Sequence, residues 1–154
     1  MKIHLFAFLL AGAFAAAVSA QPIDLIQDGA SRYVIYHEAA APQSVAQAAS
    51  ELQDYLQRVS GAKLAIVSRP RPGMICLADN AASRQAGFSA ATIPWEGFRI
   101  VTKDSNIFLI GRDTADDQRT PGGGSSAGTF NAACEFLERF AGVRWLMPGE
   151  HGDY

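Results

Sequence analysis

The sequence predicts an α+β fold, a mixed β-sheet with two main helices packed on one face, preceded by a signal peptide. Three observations carry this prediction. Several short apolar runs, each bounded by turn residues, read as strands of one sheet. Only two segments, Pro42 to Val59 and Ala127 to Phe140, carry a long helical stripe. Two helices are too few to alternate with six or seven strands, which argues against a regular βαβ alternation and for helices gathered on one face.

The elements follow in chain order. Met1 to Ala20 has a weakly basic start at Lys2 and His4 and an apolar run from Leu5 to Val18. It closes on small residues at Val18-Ser19-Ala20, the three-part layout of a secretory signal peptide. The run is shorter than the roughly 20 apolar residues a spanning helix takes. Cleavage after Ala20 leaves one domain, Gln21 to Tyr154, of 134 residues. The expected location is periplasmic or extracellular, with no membrane contact after cleavage.

Ile23 to Ile26 and Tyr33 to Tyr36 are β-prone runs separated by the turn residues Asp28-Gly29-Ala30. The helix from Pro42 to Val59 places Val45, Ala48, Ala49, Leu52, Tyr55, Leu56 and Val59 on one stripe. Gln47, Glu51, Asp54 and Arg58 fall on the opposite face. Pro42 suits its start and Gly61 the residue past its end. Leu64 to Val67 and Met74 to Leu77 read as strands, and Asn80 to Ala86 as a short helix ending near Gly87. Gly97 to Thr102 and Asn106 to Ile110 read as a hairpin with a loop of three or four residues, and Phe98 and Ile100 as the buried face of its first strand. Arg112 to Ser126 is a polar, Gly-rich loop. The second helix carries Phe130, Ala133, Cys134, Leu137 and Phe140 as its stripe, with Gly142 as its terminator. Val143 to Leu146 reads as a last strand.

Charge and motifs narrow the function. Without Lys2 the chain has 12 basic and 15 acidic side chains, a net of −3, and its basic residues are scattered. That is no footprint for nucleic acid. Arg69, Arg71 and Arg84 lie in or near a Pro/Gly loop and read as solvated. Gly122, Gly124 and Ala127 match a Gly-x-Gly-x-x-Ala pattern, but ten residues of polar loop separate it from Ile110, and no lysine precedes Thr129. A dinucleotide or phosphate loop needs that context. His37-Glu38 and Glu150-His151 are the only His/carboxylate neighbours after Ala20, too few ligands for a metal site. No Gly-x-Ser-x-Gly elbow occurs, and Glu96, Glu135, Glu138 and Glu150 show no pairing that marks a glycosidase carboxylate couple. No catalytic, cofactor or metal residue is therefore assigned. Cys76 and Cys134 could pair in an oxidising compartment or remain buried thiols. Trp145, between Val143 and Leu146, reads as core or domain interface, and Trp95, after Pro94, as the more open tryptophan.

One longer pattern goes further. Gly128-Thr129, then Glu135-Phe136-Leu137-Glu138, then Gly142-Val143-Arg144-Trp145-Leu146 and Pro148-Gly149-Glu150, resembles the stretch that closes the N-terminal domain of α-glucuronidases and related exported glycosidase-like proteins. Glu51-Leu52 with Tyr55-Leu56 before Ser60-Gly61, and Glu96-Gly97-Phe98-Arg99-Ile100 before Ile107 to Gly111, agree with that pattern. The resemblance implies a fold like the second domain of β-hexosaminidases, preceding a (β/α)8 barrel that carries the catalytic carboxylates. It implies a non-catalytic accessory domain whose partner is that barrel, with polysaccharide as the substrate of the whole. A free-standing exported carbohydrate-binding module is the alternative. By their position, Arg144, Trp145 and Glu150 are the candidate domain-interface residues and Trp95 the candidate sugar contact.

Overall fold

The computed structural model describes residues 23–145. Met1 to Ala20, the segment read as a signal peptide, together with Leu146 and Pro148-Gly149-Glu150, lies outside the described residues. Five strands form one mixed sheet: β1 (Val34–Tyr36), β2 (Ala65–Val67), β3 (Met74–Leu77), β4 (Phe98–Lys103) and β5 (Asn106–Gly111). Their spatial order is β2-β1-β3-β5-β4. The first four in that order are parallel, and β4 closes the edge antiparallel to β5. The helices are α1 (Gln43–Ser60), α2 (Ala81–Gln85) and α3 (Gly128–Phe136), the last continued by a π-helical turn, Leu137–Ala141.

Strand alternation splits the core into two layers. Ile35, Ile75, Leu77, Ile107 and Leu109 face α1 and α3, where Val45, Leu52, Leu56, Ala133, Phe136 and Leu137 complete the main core. Val34, Tyr36, Met74, Cys76, Phe108 and Ile110 face the other way, under Ala82, Ala86 and Phe88. The two main helices therefore share one face, as the sequence predicts, while the short α2 covers part of the second. Burial on both faces explains why β3 is apolar without alternation, the pattern of a central parallel strand.

The helix ends follow local chemistry. Gly61, just past α1, sits at φ 78° and ends the helix in the left-handed region, which a residue without Cβ enters freely. Asn80 caps α2 reciprocally with Ser83. Gly142 ends the π-helical turn at φ 74°.

Several expectations are corrected. Ile23 to Ile26 is irregular rather than a strand, and only Gln27 and Ala30 bridge, across the left-handed pair Asp28 and Gly29. Its side chains pack onto the main core without a strand partner. Val143 and Arg144 form no strand either, and the sheet has five strands. The hairpin loop is two residues, Asp104 and Ser105, both at positive φ. That is the conformation whose twist matches the flanking strands. On β4, an edge strand, Phe98 is exposed and Ile100 only half-buried, so the expected buried face is incomplete. Val59 and Phe140 are both exposed, against the predicted stripes. Val59 belongs to the last turn of α1, and the wider π-helical turn rotates Phe140 off the α3 stripe. Cys134 is half-buried. It lies on α3, whereas Cys76 belongs to the layer on the opposite side of the sheet, and both thiols are free.

A cleft at the carboxyl ends of the parallel strands

After β1 the chain places β2 on one side and later β3 on the other, so the sheet has a topological switch between β1 and β3. In open sheets with parallel strands, crevices form outside the carboxyl ends at such a point. A cleft of about 290 Å³ lies outside the carboxyl ends of β3 and β5, the strand pair next to that switch. Pro42, at the start of α1, Ala78 and Asp79, just after β3, and Arg112 and Asp113, just after β5, line it with Trp95.

Close backbone packing builds this end of the molecule. A side chain on Gly111 would overlap the backbone of Gly128 and Thr129, and one on Gly128 would overlap Gly97 and Arg112. The end of β5, the start of α3 and the Trp95-Glu96-Gly97 segment are thus in direct backbone contact. Gly97 O accepts from the Arg112 N–H at 3.1 Å. The Thr129 hydroxyl accepts from the Gly111 N–H at 3.1 Å and donates to Asp113 Oδ2 at 2.5 Å. Ser126 ties the same segments, accepting from the Glu96 N–H and donating to Arg112 O.

The carboxylates here serve mainly as caps. Asp113 Oδ1 accepts from the Thr129 N–H at 2.9 Å, in the first turn of α3. Glu96 receives Asn131 Nδ2 at 3.1 Å and the Ala127 N–H at 3.4 Å. Asp116 caps α1 through the Gln43 N–H at 2.8 Å, and Glu38 caps α2 through the Ala81 N–H at 3.2 Å. Each helix N-terminus, the positive end of its dipole, thus already faces an acidic side chain. The start of α3 holds Asp113 where a phosphate loop would hold its anion. The triple glycine is an exposed turn, with the Thr120 N–H donating to Gly124 O.

Electrostatics separate the two acids of the cleft. Burial pushes the Asp113 carboxyl above its ordinary value, against the two Thr129 hydrogen bonds, and the charge of Glu96 adds to the rise. Burial also pushes Asp79 up, but hydrogen bonds from the Ala90 N–H, Arg84 and Ser89, with the Arg84 charge, hold it below its ordinary value. The Arg112 guanidinium lies 3.9 Å from the centre of the Trp95 ring and donates through Nη1 to Ile93 O at 3.1 Å.

The four candidate residues separate. Trp95 lies in the cleft, 36% exposed. Arg144 is exposed and donates to Glu138 O at 2.9 Å and Val143 O at 2.8 Å, so it serves the carboxyl end of the second helical segment. Trp145 packs edge-on against Tyr55, its indole N–H 3.2 Å from the Tyr55 hydroxyl. Some 14 helical residues separate the cleft from Arg144, roughly 20 Å at 1.5 Å per residue. Glu150 lies outside the described residues. Arg112, Asp113 and Asp79 escaped the sequence reading, which placed the first two in the polar, Gly-rich loop from Arg112 to Ser126. Their position directly after β5 and β3 was the available clue, but it acquires meaning only once those strands are parallel.

A second surface lies at the opposite end. Leu25, Ile26, Val59, Ile100, Phe136 and Phe140 contribute to an apolar groove of about 670 Å³.

No protein-family model matches the sequence, and no curated protein matches it. Among solved structures the chain is similar to a family GH115 4-O-methyl-α-glucuronidase with specificity for decorated arabinogalactans. The TM-score is 0.55 at 20% sequence identity. The similarity covers 84% of this chain and 16% of that one, so the two share a fold over a small part of the larger protein.

Proposed function

We propose that this chain is the non-catalytic N-terminal accessory domain of an exported glycoside hydrolase related to the α-glucuronidases. The observation that carries the reading is the solved neighbour, in which a fold covering most of this chain forms 16% of a much longer glycosidase. The apolar groove beside the exposed Phe140 and Val59 supports it, because such a surface fits burial against a further domain of the same polypeptide. The occupant assigned to it is the (β/α)8 catalytic barrel. The Met1 to Ala20 segment supports export. The substrate class of the whole protein is uronic-acid-bearing polysaccharide.

The test is release of uronic acid from glucuronoxylan and from decorated arabinogalactan. The purified chain alone is expected to release none, and a polypeptide continuing into a barrel is expected to release it. Activity of the chain alone that co-purifies with it and is lost in Glu96→Gln or Asp113→Asn would overturn the accessory role. Amino-terminal sequencing of the exported product is expected to begin at Gln21.

A further inference from the structure

We infer that the cleft at the carboxyl ends of β3 and β5 binds one neutral sugar unit, held between the Arg112–Trp95 pair and the acidic rim of Asp79 and Asp113. This goes beyond the accessory-domain role and does not depend on it.

Backbone geometry first marks the cleft. Five residues other than glycine adopt positive φ among the described residues. Asp28, Asp104 and Ser105 do so in two-residue turns, where that conformation is the ordinary solution. Glu96, at 62°, is the third residue of a turn closed by the Gly97 N–H donating to Pro94 O at 3.0 Å, which leaves Ala78, at 69°, outside any such turn. Ala78 lines the cleft and Glu96 follows Trp95. Left-handed backbone at an alanine costs about 1 kcal/mol and persists only where the surroundings enforce it, a recurrent property of ligand sites.

The side chains then select the ligand. Arg112 lies over the Trp95 indole, 3.9 Å from the ring centre, and is anchored by one nitrogen, and no carboxylate of the described residues forms an ion pair with it. Its guanidinium has five N–H donors in a fixed fork, so donors remain beyond the one bonded to Ile93. Asp113 and Asp79 bring carboxylate acceptors to the same cleft. Asp79 is already ion-paired with Arg84, which leaves Asp113 and Arg112 to balance each other, so the cleft has no excess charge to favour an anion or a cation. A neutral ring bearing hydroxyls, each both donor and acceptor, satisfies donors and acceptors together. Ala78, Ala91 and the Trp95 indole provide apolar surface for its C–H face.

Two-dimensional NMR of the full chain tests this without a substitution, because the two indole N–H resonances report separately. D-xylose, D-galactose and D-glucose are titrated in turn, with D-glucuronate and inorganic phosphate as the anionic arms. At least one neutral sugar is expected to move the Trp95 resonance saturably and leave Trp145 in place. Arg112→Ala, with an unchanged far-ultraviolet spectrum, is expected to weaken that response about tenfold or more, the scale of a lost charged hydrogen bond. Should Arg112→Ala fail to fold, Arg112→Lys serves, since it keeps the charge and loses the planar fork. No response to any neutral sugar from the folded chain overturns the inference. So does a response to glucuronate or phosphate alone, one confined to Trp145, or one indifferent to Arg112. Loss of sugar binding leaves the uronic-acid release assay untouched, so this inference and the accessory role fail separately.

Discussion

Gly111 and Gly128 meet where a methyl group has no room on either side, because each would strike backbone rather than a yielding side chain. Gly111→Ala is therefore expected to destabilise the fold by about 2–3 kcal/mol, the upper range for overpacking, measured as a lower urea midpoint at unchanged m-value. Gly61 makes the contrast, since its Cβ would meet open space and only the left-handed backbone would suffer. Gly61→Ala should cost about 1 kcal/mol. Cys76 belongs to the same scale. Burial pushes its thiol up to about 11, the Asn80 hydrogen bond opposes the rise, and the charge of Glu38 adds to it. The neutral thiol is favoured in the fold, so this contribution is complete below the ordinary thiol value of 9.0 and is lost as pH climbs toward about 11. Urea titrations across that window should show a decline to which Cys76 contributes up to about 3 kcal/mol, so Cys76→Ala makes it shallower, and the remainder comes from Cys134 and Tyr36, which burial also pushes up. With a thiol-reactive dye at neutral pH, half-buried Cys134 should react first and Cys76 only after unfolding.

Among the elements, the β4–β5 hairpin is the one whose turn is least suited to its conformation. Asp104 and Ser105 sit at φ 49° and 58°, where Asn-Gly is the preferred pair. Replacing Ser105 by Gly should raise stability by about 0.5–1 kcal/mol, read as a higher melting temperature, because the folded conformation is relieved of a Cβ. The opposite outcome would mean that the turn is held by contacts beyond its backbone. In α1, burial of Val45, Ala48, Ala49, Leu52 and Leu56 follows the sequence stripe, whereas α3 departs from its stripe at the π-helical turn. One wide turn is enough to bring Phe140 to 66% exposure while Leu137 stays buried.

At the scale of the whole molecule, the two ends of the sheet differ in chemistry. The carboxyl ends of the parallel strands gather Asp79, Asp113 and Arg112 around Trp95, while the far end carries the apolar groove. Phe140→Ser should leave the stability of the isolated chain within about 0.5 kcal/mol, since an exposed ring contributes little to folding. It should also lower binding of a hydrophobic dye. A large loss of stability would instead mark Phe140 as part of the core of this domain, and the groove would no longer argue for a further domain.

The sequence by itself determined the fold class, most of the α1 stripe and its glycine end, all five strands to within a residue, and the loop character of the triple glycine. Those properties rest on periodicity and local turn chemistry, which are contained in short windows. Beyond its reach were the irregular path of Ile23 to Ile26, settled by packing on the core, the two-residue hairpin turn, settled by the pairing of Lys103 with Asn106, and the exposure of Phe140, settled by one π-helical turn. It marked Trp95 as open and Gly128-Thr129 as part of a pattern, without relating them. Only the tertiary structure decided that relation. Parallel pairing of β3 with β5 brings Asp79 and Asp113 to one cleft, and the Gly111–Gly128 contact fixes Thr129 against both Asp113 and the end of β5. A site assembled from the ends of separate strands has no spacing in the chain, because its distances are set by strand pairing rather than by sequence separation.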